Sequence, residues 1–157
     1  LQGPTGADQK CMDESLLSGS KVKGKKFKAW IAGASFPTSF QVGTRSFTRS
    51  ELPYKTVTGV KIAHGYTDLL DGTLLAPINT TQTGSVANIN VWTGVRDDGW
   101  ISFRPESLCY GFNVDDSNVY GIYGRSDNTG LTWTGANEIA SVIQSCDSLA
   151  ALYCFEQ

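Results

Sequence analysis

The chain has one histidine, one methionine and no C-x-x-C pair in its 157 residues. A lone imidazole, His64, argues against a structural zinc site, which wants close Cys/His pairs. Any Ser-His-Asp or Cys-His hydrolase would have to be assembled around that one side chain, and no nucleophile elbow accompanies it. Beside Gly65, His64 reads as a turn residue. There is no G-x-G-x-x-G and no phosphate-binding loop. The carboxylates Asp97/Asp98 and Asp115/Asp116 are adjacent in sequence, so their side chains diverge instead of converging across a glycosidic bond. Charge is scarce as well, at 18% of residues. A formal net charge of −2 and a pI of 5.3 give the whole chain no bulk attraction to nucleic acid or anionic membrane. No apolar run approaches membrane-spanning length, and Leu1-Gln2-Gly3-Pro4 carries no signal-peptide pattern. These absences argue against an enzyme and require no cofactor.

What is present points to short strands and turns. Seventeen glycines and four tryptophans stand among many threonines, serines and asparagines. The length suits one domain over residues 1–157 with a core of its own. Four cysteines, Cys11, Cys109, Cys146 and Cys154, are an even set. Their preferred reading is two disulfides in an exported protein; the alternative is four buried thiols in a reducing compartment. Three connectivities are open.

Along the chain, Thr5 followed by Asp8 suggests a loose capping box opening a helix that ends near Ser18-Gly19. Ala7, Cys11 and Leu16 are expected on its inward face. Ala29-Trp30-Ile31-Ala32 is an apolar strand candidate, and residues 34–53, with Phe36, Phe40 and Phe47 among serines and threonines, read as loop. Tyr54 to Ala63 alternates like one strand with a bulge at Gly59. Thr67 to Gly72 suggests a helical turn closed by Asp-Gly, followed by an extended segment, Thr73 to Ile78, with an edge-type proline. Asn79-Thr80-Thr81 matches a glycosylation acceptor. Asn90 to Gly94 is a strand with Trp92 in the core, and Arg96 to Gly99 a turn. Asp115-Asp116-x-Asn118 offers oxygens to calcium but lacks the glycine and distal glutamate of an EF-hand loop, which favours a solvated turn. Residues 137–144 form a short apolar run. The closing stretch, Leu149 to Tyr153 between Cys146 and Cys154, is expected to be a buried strand pinned at both ends.

One cluster of charge stands out. Lys21, Lys23, Lys25, Lys26 and Lys28 fall within eight residues. They read either as a cationic patch for sulfated glycans or acidic protein surfaces, or as a solvated connection between helix and strand. Lysine without interleaved arginine or exposed aromatics is a poor nucleic-acid signature.

Several motifs occur together in a fixed order. They are Gly6-Ala7-Asp8-x-x-Cys11, Phe27-Lys28-Ala29-Trp30, Leu70-x-Asp-Gly-Thr73-Leu74-Leu75-Ala76-Pro77-Ile78, Val91-Trp92-Thr93-Gly94, and Cys146 with Leu152-Tyr153-Cys154-Phe155-Glu156. In this order the chain resembles a bacterial endostatin-like domain family that includes leptospiral surface proteins. The resemblance implies an α+β fold of C-type-lectin-like type, with antiparallel sheets, two short helices, a long irregular region and two disulfides. It also implies nested pairing, Cys11 with Cys154 and Cys109 with Cys146. It implies a non-enzymatic adhesin that binds laminin, fibronectin, other matrix proteins, plasminogen and complement factor H. Such a protein is exported, either secreted or held at the outer-membrane surface through a lipid anchor outside this chain. The motifs are framework positions, so no residue-level ligand site carries over. The Glu-Pro-Asn, Gln-Pro-Asp and Trp-Asn-Asp triplets of calcium-dependent lectins are missing. A calcium-dependent carbohydrate binder using residues 95–130, or a structural domain of a larger envelope protein, are the alternatives.

Overall fold

The fold is organised by the meeting of the two chain ends. A computed structural model describes residues 1–32, 47–96, 99, 101, 108–135 and 143–157. Helix α1 (Gly3–Leu16) packs against strand β1 (Phe27–Ala29), which pairs antiparallel with the last strand, β7 (Cys154–Glu156). In that pair Lys28 faces Phe155 and Ala29 faces Cys154. Cys154 is bridged to Cys11 on α1, so helix, first strand and last strand are one covalently closed unit. The second bridge, Cys109–Cys146, spans 37 residues against 143 for the first, and the pairing is nested.

The helix differs from its sequence signals at both ends. It begins at Gly3, with Gln2 in left-handed geometry before it and Pro4 in the first turn, where a missing N–H and a fixed φ cost nothing. Thr5 therefore lies inside the helix and caps nothing. The Asp8 carboxylate accepts the Ala29 N–H at 2.8 Å and ties α1 to β1. Gly3, Ala7, Cys11 and Ser15 form the buried stripe, one residue per turn. Leu16, expected inside, is half exposed because the i, i+4 row continues through Ser15.

Three further expectations are corrected. Tyr54 to Ala63 is not one strand but a hairpin, β2 (Tyr54–Lys55) and β3 (Lys61–Ala63). Gly59, at φ +88°, takes the left-handed position its turn needs, so alternation across the turn does not define a common face. Trp30-Ile31-Ala32 is fully buried yet leaves the β1–β7 pair after Ala29. Its N–H groups turn to the carbonyls of Tyr153 (from Trp30), Ala29 (from Ile31) and Thr93 (from Ala32). The closing strand lies beyond the apolar run, not in it. Leu149 is 99% exposed, Ala151 only bridges Val91, and Phe155 supplies the buried anchor.

Other expectations hold. Helix α2 (Tyr66–Leu69) is the short turn before Asp71-Gly72. Strand β4 (Asn90–Trp92) buries Trp92 and pairs with β5 (Tyr120–Arg125), which pairs with β6 (Ile143–Ser145). The segment from Thr73 to Ile78 is not in a named strand, although Leu74 is buried and the Leu75 N–H reaches the Ile62 carbonyl. The fold is thus α+β, with few helices, small antiparallel sheets and two disulfides. The loop expected over 34–53 and the apolar run at 137–144 fall largely on residues outside the described set, as do Asp97 and Asp98. Residues 47–53 and 143–144 are the described parts of the first two.

The core is aromatic. Trp30, fully buried, packs within 5.5–5.6 Å (ring centroids) of Phe47, Trp133 and Phe155. Its indole N–H donates to Thr134 Oγ1, whose hydroxyl donates to the Val95 carbonyl. Tyr153 packs tilted against Trp133 and donates its hydroxyl to the Trp133 carbonyl at 2.9 Å. Burial, with Asp127 nearby, raises that hydroxyl well above the ordinary tyrosine pKa. The alternation of aromatics with glycine in β5 has a steric cause. A Cβ on Gly121 would stand 2.6 Å from Cys109 Sγ and 2.8 Å from Trp92, and one on Gly124 would strike the carbonyls of Trp133 and Thr134.

Candidate binding surface

The lysine segment is a turn braced at both ends. After α1, Gly19 at φ +85° reverses the chain and Gly24 at φ +84° reverses it again, while the Lys25 N–H closes onto the Val22 carbonyl. The Phe27 N–H rests on Met12 Sδ at 3.1 Å, and β1 is clamped between Asp8 and β7. On its other flank the Lys21 N–H donates to the Gln82 carbonyl at 2.9 Å. The segment is therefore held against the fold as well as being a connection from helix to strand.

Its five lysines are not equivalent. Lys25 Nζ pairs with Glu156 Oε2 at 2.8 Å, both side chains being about half exposed. The Lys21 side chain lies over Gly84, close enough that a Cβ there would collide with it. Lys28, half-buried in β1 opposite Phe155, is already engaged. Lys23 and Lys26 are exposed and make no ion pair among the described residues. Of the candidate residues, the structure thus brings Lys21, Lys23, Lys25 and Lys26 onto one exposed turn and sets Lys28 into the scaffold.

The four cysteines are structural. Cys11, Cys109 and Cys146 are buried, and all four are in disulfides. His64 is exposed at a turn, where its backbone N–H donates to Asp68 Oδ2. In Asp115-Asp116-x-Asn118, Asp116 Oδ1 accepts both the backbone and the side-chain N–H of Asn118, which makes the segment an Asx-type turn. Among the described residues no three His, Cys, Asp or Glu side chains gather as a metal-holding group. Asn79 Nδ2 donates to Asn88 Oδ1 at 3.0 Å.

Sequence reasoning missed the residues that shape the lysine turn from outside it. Glu156 is 131 residues from Lys25, and Gln82 and Gly84 belong to a distant loop. Nothing local marks them; only knowledge that β7 pairs with β1 could have placed Glu156 beside the cluster.

No protein-family model matches the chain. No curated protein matches it either. The motif residues quoted above take scaffold positions: Ala7, Ala29, Trp30, Val91, Trp92 and Phe155 are all buried. Among the described residues no helix is long and apolar enough to cross a membrane.

Proposed function

We propose that this chain is a non-enzymatic binding module of an exported protein. In this reading it is displayed on a bacterial surface or secreted, and it engages matrix and plasma proteins of a host. Laminin, fibronectin, plasminogen and complement factor H are the partner class that the endostatin-like resemblance implies. Sulfated glycans are a further ligand of matching chemistry. Two disulfides support the exported setting, since such bridges persist in oxidising compartments. A C-type-lectin-like domain is the finer fold reading, consistent with small antiparallel sheets and joined termini.

One observation carries the functional reading: Lys23 and Lys26 project, unpaired among the described residues, from a turn fixed by Asp8, Met12 and Gln82. Fixed cations lose less freedom on meeting a carboxylate or sulfate than cations on a mobile tail. Plasminogen has affinity for exposed lysines, which makes it the most direct probe.

The test replaces Lys21, Lys23, Lys25, Lys26 and Lys28 by alanine and measures binding to immobilised plasminogen and to heparin. Binding is expected to fall about tenfold or more and to weaken with added salt. The narrower variant Lys23→Ala/Lys26→Ala should account for most of the loss, since Lys25 is paired and Lys28 is half-buried. Unchanged binding by a folded five-lysine variant would leave the segment as a solvated connection and remove the proposal.

A further inference from the structure

A second surface has the opposite chemistry. A groove of about 740 Å³ is lined by α1, Val22 and Phe27 after it, the loop at residues 78–82, Ile89 on the approach to β4, and the segment 146–154. That volume lies within the range of sites that take small molecules or peptide side chains. Its lining includes the apolar side chains Ile78, Ile89, Ala151 and Leu152. At its lip Leu149 is 99% exposed, and Ile89 is about half exposed. An isolated exposed leucine is ordinary; one standing beside an apolar channel adds to a contiguous patch.

Four carboxylates line the same groove, Asp13, Glu14, Asp115 and Asp147, against one cationic side chain, Lys10. The lining side chains therefore carry a formal charge of −3, against −2 for the side chains of the whole chain. All four acids are exposed, and none is ion-paired among the described residues. Glu14 does accept a hydrogen bond from Gln82, and Asp13 one from Gln9; both donors are neutral amides, which leave the charge in place. The Cys109–Cys146 bridge and the bond from the Cys146 N–H to the Val119 carbonyl fix the backbone just before Asp147. Asp147 is thus held on a rigid wall.

We propose that this groove is a docking site for a cationic amphipathic peptide segment of a partner protein. Apolar side chains of the segment fill the channel beside Leu149 and Ile89, and its lysines or arginines meet the four carboxylates. Charge complementarity selects this occupant over a polyanion, which the rim repels, and over a neutral ligand, which leaves the rim unused. The groove touches the lysine segment at Val22 and Phe27 but differs from it in charge and in the partner it takes, so either reading can fail without the other.

The experiment uses two short fluorescein-labelled peptides of matched length, one of leucine and lysine and one of leucine and glutamate. Fluorescence anisotropy against the intact, oxidised chain reads affinity, and amide chemical shifts locate the site. The leucine–lysine peptide is expected to bind and to weaken with salt. Shifts should concentrate at residues 10–14, 78–89 and 146–152. Asp115→Asn/Asp147→Asn should weaken it about threefold to tenfold. Leu149→Ser should also weaken it, and Lys23→Ala/Lys26→Ala should not. These substitutions are at exposed positions, and an unchanged melting curve confirms that the variants fold. Equal binding of the leucine–glutamate peptide, unchanged affinity in the carboxylate variant, or shifts lying elsewhere would overturn the proposal. So would a dimer that dissociates with Leu149→Ser, which would make the groove a contact between copies of this chain.

Discussion

The two disulfides do different work. Cys11–Cys154 joins the first helix to the last strand over the aromatic core, where Trp30, Phe47 and Phe155 pack on one another and backbone pairing is regular. Cys109–Cys146 instead fastens a turn in which four consecutive residues, Cys109 to Phe112, all have positive φ. Three of the four are not glycine, and a left-handed conformation costs each about 1–2 kcal/mol. The first bridge reinforces a region that packing already favours. The second holds a region that local conformation disfavours, and Phe112 against Trp92 is the packing that helps it. Covalent closure therefore adds to packing at the joined termini and compensates for strain beneath β5.

Removing the bridges should have the largest effect. In the chain-entropy account, the 143-residue loop contributes about 5 kcal/mol and the 37-residue loop about 4 kcal/mol. Cys11→Ala/Cys154→Ala should show the larger loss in denaturant unfolding. Cys109→Ala/Cys146→Ala should lose less than its loop size implies, because the freed turn can leave the left-handed region. Native-state hydrogen exchange should then show opening confined to the neighbourhood of residues 108–121 in the second variant. Equal losses, with no local opening, would mean that the turn stores no strain.

A smaller effect is expected in the aromatic core. The buried Tyr153 hydroxyl has a raised pKa, so folding favours its protonated form. Its contribution is complete below the ordinary tyrosine value of about 10 and is lost as pH rises above it. Stability should fall in alkaline solution, and Tyr153→Phe should flatten that fall while costing about 1 kcal/mol at neutral pH through the lost bond to the Trp133 carbonyl. Parallel alkaline denaturation of the two proteins checks it. Smallest of all, Lys25→Ala removes a half-exposed ion pair with Glu156 and should change stability by less than about 1 kcal/mol. A greater loss would make that pair a structural tie between β7 and the lysine turn.

How much of this was legible in the sequence depends on range. Local signals located α1, α2 and β4, since their caps, glycines and alternation lie within a few residues. The same signals misplaced Thr5 and Leu16 because Pro4 and a one-per-turn stripe through Ser15 set the helix frame instead. Alternation from Tyr54 to Ile62 looked like one strand because period two is blind to a reversal between equal partners. Long-range pairing left no local trace. That Leu149 stands in solvent while Phe155 is buried follows from β7 meeting β1, a contact between the two ends of the chain. Of the lysine cluster, the sequence showed its charge but not that Glu156 neutralises one member and β1 absorbs another. The acidic groove was invisible because its four carboxylates come from three separate parts of the chain.

We propose that a disulfide-closed scaffold presents the lysine turn as its binding face. Hydrogen exchange of the oxidised chain, with and without saturating plasminogen, tests it most directly. Added protection should appear at residues 20–28 and at the Gln82 loop that supports them, with the core around Trp30 and Trp133 unchanged. Protection absent from that turn, or centred on another surface while the turn exchanges as freely as before, would contradict the account.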